Sequence, residues 1–155
     1  MLLSELIQED LIKVGLKARD KWDAIQELVD VLVSAHEIRV NDRTTVIDAV
    51  VARERSLSTG LKYGLAVPHG TVDCVADILV ALGTSPAGIP FESVDESPAR
   101  LVILLVIPKG SLKQHVRTLA GVSAFGTRPQ LRERVLAASS AQEIMEAIKE
   151  LEGGA

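Results

Sequence analysis

Arg53, His69 and His115 are the residues in this sequence best equipped for anion and proton chemistry. A neutral imidazole is a nucleophile near neutrality, because its ordinary pKa of about 6.5 leaves a nitrogen lone pair free in a large fraction of molecules. It takes up a phosphoryl group without a separate base, and the N–P bond so formed is labile enough to pass the group on. What remains for the protein is to position the reactants and neutralise the equatorial oxygens of the group in transit. A guanidinium suits that task, since its planar donor fork matches phosphate oxygens.

Each of these residues also has a plainer reading. Arg53 lies three and seven residues after Val50 and Val46, so in a continuing helix it falls on the stripe that faces the core. It is either an arginine near a helix C-terminus, favoured by the dipole and snorkelling to water, or an anion clamp. His69 follows Pro68 and precedes Gly70, a setting that favours exposure in a cleft, although a lone histidine is more often a structural or surface residue. His115 lies between Leu112 and Leu119 on the apolar side of a helix, where a core histidine bonded to a backbone carbonyl is the alternative. His36, beyond the apolar stripe of an earlier helix, reads as a solvated helix end. Cys74 has apolar neighbours in Val75 and Ala76, which point to a small buried residue and not to an activated thiolate.

The elements that must carry these groups follow from periodicity. The alternation over 11–16 predicts a strand with one wet face, weakened by Gly15. Asp20 is placed to cap a helix whose apolar stripe is Trp22, Ile25, Leu28, Val29, Leu32 and Val33. A second helix starts near Asn41 or Asp42, carries Val46, Ile47, Val50 and Val51 inward, and ends in Arg53-Glu54-Arg55. After the turn at Ser58-Thr59-Gly60, Leu65-Ala66-Val67 reads as a short strand stopped by Pro68, which puts His69 at a strand end. Asp77 to Gly83 predicts a buried strand, Gly88-Ile89-Pro90 opens a turn-rich connection, and the unbroken apolar run Leu101 to Ile107 predicts the central strand. Helices follow from Leu112 to Phe125, from Pro129, and from a capping box of Ser140 and Glu143.

Composition narrows the function. A chain of 155 residues, 47% hydrophobic, fits one domain, and its aliphatic palette suits a buried sheet covered by helices. With 17 basic against 21 acidic residues the net charge is −4, which argues against nucleic-acid binding. One cysteine and three histidines at no recognisable metal spacing predict neither a disulfide nor a metal, and no cofactor is called for. No apolar run is long enough to cross a bilayer and the opening residues do not read as a signal peptide, so a cytoplasmic protein is expected. A phosphate-binding glycine loop ending in Lys-Ser or Lys-Thr, a nucleophile elbow and an HExxH motif are all missing from the sequence.

The segment 53–70, RERSLSTGLKYGLAVPHG, resembles the signature of the fructose/mannitol enzyme IIA family (EIIA type 2) of the bacterial phosphotransferase system. The likeness continues through Gly88-Ile89-Pro90-Phe91, the strand before Pro108, and Gln114-His115-Val116. It implies an α/β fold with a central mixed β-sheet flanked by α-helices on both faces, one domain over residues 1–152, and a short tail over 153–155. It also implies that His69 is the phosphoryl acceptor, that His115 is an imidazole assisting phosphate binding, and that Arg53 is the clamp on the phosphoryl oxygens. By the same resemblance the donor is an HPr-like phosphocarrier, and the acceptor is a cysteine on the IIB domain of a sugar permease. A regulatory chain of the nitrogen-related kind, whose phosphorylation state controls binding to target proteins, is the alternative. Lys62 and Tyr63 depart from the family pattern, which usually has a small residue at the first position and often a small or polar one at the second.

Overall fold

The computed structural model describes residues 3–153. Its elements are α1 (Leu3–Leu6), β1 (Ile12–Lys13), α2 (Lys21–Ser34), α3 (Arg43–Ser56), β2 (Leu65–Ala66), β3 (His69–Val72), β4 (Leu79–Ile89), β5 (Ala99–Pro108), α4 (Leu112–Gly126), α5 (Pro129–Ala137) and α6 (Ala141–Gly153). Of the expected tail over 153–155, Gly153 closes α6, while residues 154 and 155 lie outside the described residues. Among the described residues no helix is long and apolar enough to cross a membrane.

The aliphatic run expected at the centre is β5, and Val102 through Ile107 are fully buried. Burial of successive residues, whose side chains alternate between faces, requires cover on both sides of the sheet. β5 pairs antiparallel with β4, β4 pairs parallel with β1, and β2 and β3 both run parallel to β5 on its other side. The sheet is therefore mixed, with helices on both faces.

One register relation decides where His69 sits. Leu65 pairs with Leu101 and Ala66 with Val102; beyond the break His69 pairs with Leu105 and Gly70 with Val106. The offset is the same on both sides of Val67-Pro68, so β2 and β3 are one edge strand with a nick. Pro68 has no N–H to give, but its carbonyl still accepts the Leu105 N–H at 3.0 Å. Pro68 thus interrupts the strand without ending it, and His69 opens the resumed half instead of lying at a strand end.

The constant register also separates the faces. Leu65 and His69 point to one side and Gly70 to the other. A Cβ on Gly126, at the end of α4, would meet Leu65, whereas a Cβ on Gly70 would meet the α3 backbone at Ala49 and Val50. Helix α4 therefore covers the His69 face and α3 the opposite one. A Cβ at Gly70 would come within 3.0 Å of the Val50 nitrogen, and backbone cannot step aside as a side chain can. Gly70→Ala is expected to destabilise the fold by roughly 1–3 kcal/mol through overpacking, read as a lower urea midpoint at an unchanged slope.

Local signals explain the helix ends. The Asp20 carboxylate accepts the Asp23 N–H at 2.9 Å, the expected cap of α2. At its other end His36 adopts φ 62, with the Glu37 N–H on the Leu32 carbonyl and the His36 N–H on the Val33 carbonyl. This is a Schellman closure with an exposed histidine where glycine is usual. Ser140 Oγ accepts the Glu143 N–H at 3.2 Å, but the Glu143 carboxylate turns to the N–H of Ser139, one residue before the position a reciprocal capping box requires.

Two strands depart from expectation. Only Ile12 and Lys13 of the 11–16 segment pair with β4, because Gly15 turns at φ 79 and sends its N–H to the Thr84 hydroxyl. Strand β4 starts at Leu79 and runs to Ile89, absorbing Gly88-Ile89; a register irregularity between Thr84 and Ile89 leaves Pro86 exposed, where its missing N–H costs no ladder bond.

Candidate functional site

The last turn of α3 sends two adjacent side chains in different directions. Val46, Ile47 and Val50 are buried, and the residue that continues their stripe is Glu54, which is 2% exposed. Arg53, expected on that stripe, is instead half-buried beside it. Its Nη1 donates to the Leu57 carbonyl at 2.9 Å, leaving its other N–H groups for a ligand. Arg55 turns away, with its guanidinium 5.7 Å from the centre of the Trp22 ring.

Glu54 is a buried carboxylate with a full set of partners. It accepts the Thr59 N–H at 3.0 Å and the Thr59 hydroxyl at 2.5 Å, and it pairs with Lys21 at 3.3 Å. Lys21, itself buried, also meets the exposed Glu92 at 3.3 Å. These contacts hold residues 57–61 against the edge strand, where the Val67 N–H reaches the Thr59 carbonyl and the Leu61 N–H the Leu65 carbonyl.

His69 is half-buried on β3, with Nδ1 2.9 Å from the Val67 carbonyl. A carbonyl oxygen only accepts, so Nδ1 carries the hydrogen and Nε2 keeps its lone pair. Burial pushes the imidazole below its ordinary value of 6.5; the Val67 hydrogen bond acts against that, the Arg53 charge adds to it, and the Glu54 charge opposes it. Arg53 and His69 thus share one site, although His69 stands on the edge strand itself and Arg53 comes to it from α3, the helix on the opposite face.

His115 comes to the His69 face by a different path. From the contact of Gly126 with Leu65, His115 lies eleven residues back along α4, about 16 Å at 1.5 Å per residue. His69 lies four residues on along the edge strand, about 13 Å at 3.3 Å per residue. Because α4 returns antiparallel to β5, and so to the edge strand parallel to it, both displacements run the same way and the two histidines stand at similar height on one face. His115 is half-buried, and among the described residues its ring makes no hydrogen bond. Two exposed apolar side chains adjoin these groups, Leu57 beside Arg53 and Val116 next to His115.

The family model for the EIIA 2 component of the phosphoenolpyruvate-dependent sugar phosphotransferase system matches residues 5–151. The chain belongs to this EIIA family. The fructose-specific EIIA component of Haloferax volcanii is 31% identical, with 96% of each chain covered. The nitrogen regulatory protein of Escherichia coli K12 is 32% identical over 97% of this chain and 91% of its own. The fructose-specific EIIABC component of Bacillus subtilis is 32% identical over 97% of this chain, which spans 23% of that protein's length. Among solved structures, mannitol enzyme IIA of E. coli in complex with phosphorylated enzyme IIB superposes with TM-score 0.77 at 25% identity, covering 92% of this chain and 96% of that one.

Within this EIIA chain, sequence periodicity passed over the buried Glu54–Lys21–Thr59 cluster. The signal was present, since Glu54 lies four residues after Val50 and seven after Ile47, both on the buried stripe. Cys74, expected to be buried, is exposed in the turn between β3 and β4. Partial desolvation, then the charges of Asp42 and Asp73, push its thiol pKa up, the opposite of nucleophile activation.

The depressed pKa of His69 gives the site a pH signature. Between the folded value and the ordinary 6.5 the unfolded chain binds more protons, so acidification through that window lowers stability and leaves the folded imidazole neutral. With His69 as phosphoryl acceptor, the role proposed below, the rate of phosphoryl uptake is therefore expected to hold as pH falls through 6.5 and to decline only below it. A rate–pH profile, read on the acceptor after correction for donor titration, checks this; an acid limb centred at or above 6.5 contradicts it.

Proposed function

We propose that this EIIA chain is a phosphocarrier in which His69 Nε2 accepts a phosphoryl group from an HPr-like phosphohistidine protein and passes it to a cysteine of a IIB domain. The carrying observation is the His69 ring: Nδ1–H is committed to Val67, and the Nε2 lone pair is left beside the Arg53 guanidinium. In the forward step the Nε2 lone pair forms the new N–P bond as the donor's N–P bond breaks. No proton has to leave, because the product ring keeps Nδ1–H and its positive charge against the Val67 carbonyl. That charged ring is a good leaving group for the second step, in which a thiolate attacks the phosphorus. Arg53 neutralises the equatorial oxygens, His115 donates to them, and Leu57 and Val116 supply apolar contact to a docked partner.

We take residues 1–152 as the functional unit and the cytoplasm as its location. A second reading, regulation through target binding, is favoured by the likeness to the E. coli nitrogen regulatory protein. Incubation with phosphoenolpyruvate, enzyme I and HPr should add one acid-labile phosphate per chain. Discharge of that phosphate by an added IIB protein supports transport. Retention of the phosphate, together with a partner captured by only one of the two forms, supports regulation. A chain that takes up no phosphate overturns both.

A further inference from the structure

The geometry points to Glu54 as the residue that positions His69, a role that rests on the phosphocarrier reading and assigns it a new participant. Three consecutive links join them. The Glu54 carboxylate accepts the Thr59 N–H at 3.0 Å, the Thr59 carbonyl accepts the Val67 N–H at 3.1 Å, and the Val67 carbonyl accepts His69 Nδ1–H at 2.9 Å. The last link sets the tautomer and therefore which nitrogen is nucleophilic; the first sets where Thr59 and its carbonyl lie. A second tether runs from the same helix turn, since Arg53 is held to the Leu57 carbonyl two residues before Thr59. One helix terminus thus fixes both the nucleophile and its electrophilic neighbour, by way of the single segment Leu57–Thr59.

A buried carboxylate is a costly way to hold a loop unless it is fully satisfied. Here each requirement is met: the side chain is fully buried, three donors converge on two oxygens, and Lys21 balances the charge. The segment it holds carries little apolar anchorage of its own. Leu57 is exposed, and Ser58, Thr59 and Gly60 offer a hydroxymethyl, a hydroxyl and no side chain. Without Glu54 the segment keeps its backbone pairing to Val67, the Arg53 tether at Leu57 and the Ser58 hydroxyl on the Phe91 carbonyl, but loses the contacts that fix Thr59 itself. Glu54 touches no reacting atom; it acts through Thr59 and Val67.

The test separates position from charge and from stability by removing Lys21 together with Glu54, so that no unpaired buried cation is left. In Lys21→Met/Glu54→Gln the amide oxygen still accepts the Thr59 N–H. This pair is expected to retain phosphoryl uptake within a few-fold of wild type and a single His69 tautomer in the ring-nitrogen NMR spectrum above the titration range. In Lys21→Met/Glu54→Ala the first link is gone. Uptake is expected to fall about 10²-fold, the cost of a small misplacement of a reacting group, and the second tautomer is expected to appear. Thr59→Val in the wild-type background, which keeps the backbone links but loses the hydroxyl, should fall between them, and it remains informative if the alanine pair does not fold. Equal uptake and one tautomer in the alanine pair overturn the proposal, as does loss of uptake in the glutamine pair equal to that in the alanine pair. The tautomer measurement needs no phosphate donor. Failure of wild type to accept phosphate would therefore refute the phosphocarrier reading, while the tautomer comparison would still decide whether Glu54 positions His69.

Discussion

His69→Asn is expected to leave a folded protein that takes up no acid-labile phosphate from phospho-HPr. The amide nitrogen of asparagine stands where Nδ1 stands in histidine, so the 2.9 Å hydrogen bond to the Val67 carbonyl can be kept while the nucleophile is removed. Because His69 is half-exposed on an edge strand, the exchange opens no core cavity, and the unfolding midpoint should stay near that of wild type. His69→Ala should give the same loss of label with a less favourable fold, since the Val67 carbonyl then loses its partner. Full labelling of either variant would move the acceptor to another residue, with His115 the first to examine. Labelling followed by acid treatment measures this directly.

Much of the scaffold behind that prediction is legible without coordinates, and for identifiable reasons. The central strand is legible because six successive aliphatic residues from Val102 to Ile107 can be buried only in a sheet covered on both faces. Helix α2 is legible because Asp20 and the stripe from Trp22 to Val33 agree on start and face. Where the reading failed, a local rule met a tertiary partner. Pro68 does interrupt a ladder, but the strand resumes because β5 continues past it at the same register. Spacing from Val46 and Val50 puts Arg53 on the α3 stripe, whereas the buried member is Glu54, whose partners Lys21 and Thr59 come from other segments and are invisible to helical periodicity. Cys74 has apolar sequence neighbours, but they lie in a turn, where neighbours in sequence do not imply burial.

The site is less legible than the fold, because its members are far apart in the chain. Spacing alone leaves Arg53 as a helix-end cation, His69 as a lone histidine and His115 as a core histidine, and only the family resemblance connects them. The structure adds physical reasons for the placement of each: a nicked edge strand presents His69, a helix on the far face brings Arg53 beside it at its terminus, and a helix on the near face that returns antiparallel carries His115 on the His69 side. These depend on register and crossover direction, which no single-residue pattern encodes.

Arg53→Ala is expected to lower the rate of phosphoryl uptake by about 10²- to 10³-fold, the range found when one preorganised donor is removed from a developing anion. The size of the effect follows from the geometry: one Nη1–H is spent on the Leu57 carbonyl, so the guanidinium is anchored while its remaining donors stay free. Arg53→Lys should recover part of the loss, since it restores charge without the planar fork. Removing Arg53 also has a separate consequence. Its charge helps hold the His69 pKa below 6.5, so the alanine variant should titrate higher and lose more of its nucleophile on mild acidification. Rates compared at about pH 8, where the imidazole is neutral in both proteins, isolate the clamp; the shift of the acid limb toward 6.5 then measures the electrostatic contribution by itself. A rate under those alkaline conditions within a few-fold of wild type would mean that Arg53 only tunes the imidazole and does not hold the phosphoryl oxygens.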